Sequence, residues 1–108
     1  MLVSVEPGLI NNHLKEGISK LNKNINIKTE QNITRIYYYK TNIVSFNRDK
    51  IYLKTEGHNT KSTKDNMNKI SEMFDLKYNV IQKDKKWYVN FKDLTLPFIN
   101  DSIIFNRF

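Results

Sequence analysis

Cysteine does not occur in this 108-residue chain, which excludes disulfide staples and every thiolate chemistry. Alanine is missing as well, and there are only three glycines and two prolines. No apolar run approaches the ~18 residues of a membrane-spanning helix. The opening MLVSVEPGLI has neither a basic leader nor a long apolar stretch, so the sequence reads as that of a cytoplasmic protein with no signal peptide and no membrane partner. Histidine occurs twice, as His13 and His58. Widely separated and without cysteine, the pair makes no zinc signature. No carboxylate cluster resembles a Mg²⁺ nuclease site, and neither a metal nor another cofactor is expected. With so little catalytic apparatus, a non-enzymatic role is the expectation.

Hydrophobic residues make up 39% of the chain and aromatic residues 12%. That is enough for the core of a single small domain and too much for a disordered chain. The formal charge is +7 and the pI ≈ 9.6, which favours an electronegative partner, either nucleic acid or an acidic protein surface. Two features weaken the nucleic-acid reading. Abundant Asn, Ile, Lys, Tyr and Phe are the residues of AT-rich codons, so a biased genome enriches lysine without selection for binding. Of the 18 basic residues only Arg35, Arg48 and Arg107 are arginine, the better fork for phosphate and base contacts.

Along the chain, Ile10, Leu14, Ile18 and Leu21 recur at helical spacing behind Pro7 and predict a helix over 8–22. INIK (25–28) alternates as a strand does, and ITRIYYYK (33–40) is β-branched and aromatic throughout. NIVSFN (42–47) and KIYLKT (50–55) flank an Asn-Arg-Asp-Lys turn and predict a hairpin. Met67, Ile70, Met73 and Phe74 then return to helical spacing. YNVIQ (78–82) and KWYVNF (86–91) flank a second turn with period two, with Trp87, Val89 and Phe91 on the core face. The tail, 94–108, is apolar enough to dock as an edge strand. The resulting expectation is a single α+β domain with a ββαββ core over about 33–92. Its small, mainly antiparallel sheet is made of two hairpins, with one or two helices packed on one face.

The polar hinge EGHNTKSTKDNMNK (56–69) joins the first hairpin to the second helix. Gly57 sits where a strand must turn abruptly. Ser62 with Asp65 three residues on matches an N-terminal capping pattern, and Thr60 and Thr63 are alternative caps. The functional reading is an anion site, in which free helix-start amides are joined by Thr60, Lys61, Ser62, Thr63 and Lys64. The second glycine of a Walker A loop is missing, so a backbone or terminal phosphate of nucleic acid suits the hinge better than a nucleotide cofactor. His58, with Thr60, Lys61 and Arg35, would make a metal-independent ribonuclease if histidine moved the proton and the cations held phosphate. No second acid or base is placed by spacing to complete it.

Period two puts Arg35, Tyr37 and Tyr39 on one face of their strand and Ile36 and Tyr38 on the other. Tyr37, Tyr39, Tyr52 and Tyr88 are therefore candidates for a solvent face on which bases stack or a partner docks. Against this stands ordinary cross-strand packing. Lys83, Lys85 and Lys86 crowd the second turn, where a charged tip enters a groove or is merely solvated.

The pattern Thr55-x-Gly57-x-x-Thr60-x-Ser62-Thr63-Lys64-x-Asn66-x-Asn68, followed by VIQKDKKWYV, resembles a group of small phage-encoded proteins. In that group a similar turn joins a hairpin to a helix, and a hairpin bearing Trp-Tyr follows. The resemblance covers about 42–92 and departs at His58, where an aromatic residue is expected. It implies phage origin and a small α+β module, and it carries over no catalytic residue. The expected function is accordingly a non-enzymatic phage accessory protein in the host bacterial cytoplasm. It would bind and inhibit a host protein or nucleoprotein through His58, Asn59, Thr60, Lys61 and the exposed tyrosines. The alternative is direct binding of DNA or RNA. A mimic of DNA should be acidic, and this chain is basic.

Overall fold

Runs of period two dominate the chain, and the computed structural model, which describes residues 24–108, turns each of them into strand. In order these are β1 (Ile25–Glu30), β2 (Ile33–Tyr38), β3 (Thr41–Phe46), β4 (Lys50–Lys54), helix α1 (Lys61–Met73), β5 (Asn79–Lys83), β6 (Lys86–Phe91), β7 (Leu94–Pro97) and β8 (Ser102–Asn106). The helix expected over 8–22 lies outside the described residues.

The strands form two antiparallel sheets, one of five strands in the order β1-β2-β3-β4-β8 and one of three in the order β5-β6-β7. This corrects the α+β expectation. Among the described residues the protein is mostly β, with one helix of 13 residues and no single sheet shared by the two hairpins. The tail is the reason. Where one edge strand was expected, it supplies two: β7 completes the hairpin sheet, and β8 crosses to pair with β4 from Lys50↔Asn106 to Lys54↔Ser102.

Scarce glycine does not prevent tight turns. Gln31-Asn32, Asp84-Lys85, Lys92-Asp93 and Asn100-Asp101 all have both residues at positive φ, as a two-residue type I′ hairpin requires. Asn and Asp tolerate that region better than most side chains. Asn100-Asp101 turns the tail back on itself, with Ile99 and Ser102 bridged across it. The β3–β4 turn is held differently: Asn47 Oδ1 accepts from the amides of Asp49 and Lys50, each at 2.8 Å.

Cross-strand register assigns the faces of the larger sheet. Ile36, Val44 and Leu53 stand in one row and Ile51 with Phe105 in another, all buried. At the bulge opposite Ile36/Tyr37, Ile43 and Val44 are buried in succession. Beside the bulge the Asn42 side-chain amide meets the Ser45 hydroxyl at 2.7 Å. From the smaller sheet Val80, Trp87, Val89 and Phe91 face inward, as the alternation predicts. The two sheets meet at Phe105, whose ring lies 4.8 Å from Phe91 and 6.3 Å edge-on from Tyr78.

Helix α1 buries Met67 and Ile70 and packs against β3 and β5. Its C-cap Phe74 lies 5.0 Å from Phe46. It also closes an exposed sheet edge. Asn68 donates to Val80 O at 3.0 Å and accepts from Val80 N at 2.6 Å. Ser71 does the same for Tyr78, donating to its O at 2.8 Å and accepting from its N at 3.1 Å. Residues three apart on one helix face thus stand in for the missing neighbour strand at alternate residues, leading into and along β5. The Tyr78 hydroxyl donates to Met67 O at 2.6 Å.

Burial pushes the Tyr78 phenol far above its ordinary value of 10.0. The unfolded chain loses that proton first, so this contribution to stability is whole below about pH 10 and declines as pH rises beyond it. Urea unfolding midpoints are expected to fall between about pH 9.5 and 11. In Tyr78→Phe the fall should be shallower, and identical slopes in the two proteins would refute the assignment.

Candidate binding surfaces

The hinge folds into one wall of a cleft of ≈ 220 Å³, lined among the described residues by Tyr38, Tyr39, Thr41, Ile43, His58, Thr60, Ser62 and Thr63. Gly57 has φ +85°, the left-handed turn its position suggested. His58 N donates to Thr55 O and Thr60 N to His58 O, both at 2.9 Å, so the hinge is a succession of tight turns. Thr60 is the N-cap and accepts from Thr63 N at 3.2 Å. Ser62, the first expected cap, instead meets the Tyr38 hydroxyl at 2.9 Å. Asp65 pairs with Lys61 at 3.4 Å. Asn59 donates to Asp101 Oδ1 at 3.3 Å and ties the hinge to the turn before β8.

Tyr39 forms the opposite lip. It lies between β2 and β3 with φ 56°, is 62% exposed, and its N–H donates to Asn24 O at 2.9 Å. Its ring is 4.8 Å from that of Tyr38. The cleft thus gathers Tyr39, His58, Thr60, Ser62 and Thr63 from the sequence candidates, while Lys61 and Lys64 lie outside its lining. Sequence reasoning missed Tyr38, Thr41 and Ile43 as lining residues. Period two placed Tyr38 in the core, and a half-buried residue at a sheet end belongs to both core and cleft.

Arg35 is not brought to His58. It lies on the opposite face of the larger sheet, where its guanidinium donates to Glu30 at 3.3 Å. Its row reads Lys28–Arg35–Ser45–Tyr52–Ile104 across all five strands. The next row is Asn26–Tyr37–Asn42. Tyr37 therefore shares an outward face with Arg35, as alternation required, and the strand order adds Tyr52 to it. Tyr39, expected on that same face, is instead at the cleft with Tyr38, because β2 ends at Tyr38 and the positive φ of Tyr39 breaks the alternation. Ile104, 59% exposed at the far end, was not foreseen because nothing in the tail announces which strand it joins. Tyr88 is elsewhere, on the outer face of the smaller sheet between Ile81 and Pro97. Lys83, Lys85 and Lys86 are exposed at the tip of the β5–β6 hairpin. Among the described residues no three His, Cys, Asp or Glu side chains gather where a metal ion would sit. No helix there is long and apolar enough to cross a membrane.

Fold and surfaces together define a small two-sheet β protein with a polar hinge over a shallow cleft and an aromatic, arginine-bearing sheet face. The family profile described as Kyanoviridae Gp96 protein matches residues 9–105. The chain belongs to that family and is a phage protein, the origin expected from the sequence. No curated protein and no solved structure matches it.

Proposed function

We propose that this phage protein acts by binding rather than by catalysis, and that it docks on a host protein or nucleoprotein in the host cytoplasm and inhibits it. The outward face of the five-stranded sheet carries the reading. Arg35, Tyr37, Tyr52 and Ile104 combine the residue types that concentrate binding energy at protein interfaces, on a rigid sheet that loses little entropy on docking. Lys28 and Arg35 share the single carboxylate of Glu30, at 3.8 and 3.3 Å, which leaves the row a surplus of positive charge for an acidic partner.

The test is capture from nuclease-treated host lysate, followed by titration of the purified partner. Tyr52→Ala and Arg35→Ala are each expected to weaken that complex about 10- to 30-fold, the size of an interface hot spot. Capture that depends on nucleic acid, with oligonucleotide binding that collapses between low and moderate salt, would overturn the protein-docking reading in favour of direct nucleic-acid binding.

A further inference from the structure

The cleft beneath Tyr39 lies on the other side of the sheet from the docking row. Tyr38 and Thr41 are cross-strand partners, and so are Tyr37 and Asn42, one step along and facing the opposite way. We propose that the cleft binds a single nucleotide, the base inside and the phosphate outside.

Size comes first. A space of ≈ 220 Å³ takes a ring system with its substituents, and is too small for a helix or strand of a partner. Its floor is apolar, provided by Ile43, which is 1% exposed. Its wall is aromatic, provided by Tyr38 and Tyr39, whose rings are tilted by 45°. A flat, weakly hydrated ring suits floor and wall, and stacking on tyrosine tolerates any base. The remaining lining consists of His58 and the hydroxyls of Thr41, Thr60, Ser62 and Thr63. Hydroxyls both donate and accept, as do the edges of a base.

Charge sets the remainder of the ligand. The carboxylates flanking the hinge are already engaged, Glu56 by Lys54 at 3.1 Å and Asp65 by Lys61 at 3.4 Å. Lys40 follows Tyr39 directly and Lys64 stands on the first turn of α1. Neither has a carboxylate partner among the described residues. A ligand that is planar at one end and anionic at the other meets all of these conditions. Tyr39 adds a separate indication. An aromatic residue held at φ 56°, where glycine is favoured, is strained, and its ring is left 62% exposed at the lip.

That strain supplies a clean variant. Tyr39→Gly removes the ring and suits the backbone angle, so the fold is retained. Binding is measured by calorimetry with adenosine monophosphate, uridine monophosphate, ribose 5-phosphate and a short 5′-phosphorylated single strand. The base-bearing ligands are expected to bind and ribose 5-phosphate to bind at least tenfold more weakly, about the contribution of one stacked base. Tyr39→Gly should lose a similar factor, while Tyr39→Phe retains most of the affinity. Equal affinities for monophosphate and strand assign the ligand to the free nucleotide, and a preference for the strand assigns it to a strand terminus. Ribose 5-phosphate binding as well as the nucleotides, full affinity in Tyr39→Gly, or no binding of any base-bearing ligand at millimolar concentration would overturn the proposal. None of these results bears on Tyr52 and Arg35, so the docking reading stands or falls separately.

Discussion

Phe105→Ala is expected to destabilise the protein by about 3–5 kcal/mol, the cost of emptying a large buried aromatic site. The ring is 9% exposed and touches Phe91 and Tyr78 on one side, while its own strand pairs Phe105 with Ile51 on the other. It is where side chains of the two sheets meet. Small domains have total stabilities of roughly 5–15 kcal/mol, so the loss is a large share of the whole. Urea unfolding read at once by tyrosine–tryptophan fluorescence and by far-ultraviolet circular dichroism checks this. Trp87 lies in the smaller sheet and reports on it locally. A shift below about 1.5 kcal/mol, the usual size of a conservative core change, would mean that the sheets are held together elsewhere.

Ser71→Ala should cost about 2–4 kcal/mol, far more than a surface serine. The hydroxyl is the partner of both backbone groups of Tyr78, and all of these atoms are buried. Removing it leaves one donor and one acceptor without partners in a site that water does not reach, and that penalty outweighs the weak net value of any single hydrogen bond. Asn68→Ala acts in the same way on Val80 but closer to solvent, and so should cost less. Measured stabilities in the reverse order would refute the edge-closing role of the helix. Hydrogen exchange at the amides of Tyr78 and Val80 gives a local check, since each should lose protection in its own variant first.

Much of the fold was legible because it is local. Alternation in 33–38, 50–54 and 86–91 fixes which side chains face inward, since successive residues on a strand point to opposite faces, whereas the bulge in 41–46 buries Ile43, Val44 and Ser45 in succession. Ile36, Ile51, Leu53, Trp87, Val89 and Phe91 are all buried accordingly. Helical spacing placed Met67 and Ile70 in the core for the same kind of reason. The motif residues Asn68 and Thr60 were visible as a pattern but not as roles. One clamps a strand edge and the other caps the helix. Either role depends on a backbone that other parts of the chain bring near.

Of the candidate contacts, only those sharing one strand or one hinge could be grouped beforehand. Arg35 and Tyr37 belong together by period two, but their meeting with Tyr52 and Ile104 required the order of strands. Tyr88 carries the same local signature as Tyr52 and ends on another sheet, beside Ile81 and Pro97. Tyr39 and His58 carry no mutual signal at all, yet line one cleft.

The amino-acid sequence by itself determined the strands of the two hairpins, the helix that begins at the hinge and most of the inward faces, because each depends on neighbours a few residues apart. Only the tertiary structure decided that there are two sheets, that the tail is divided between them, and which tyrosines share a surface. The physical reason is that strand partnership is a competition among distant edges. The unpaired backbone groups of β4 are satisfied equally well by any strand of suitable length, and what selects β8 is the packing of Phe105 between the sheets.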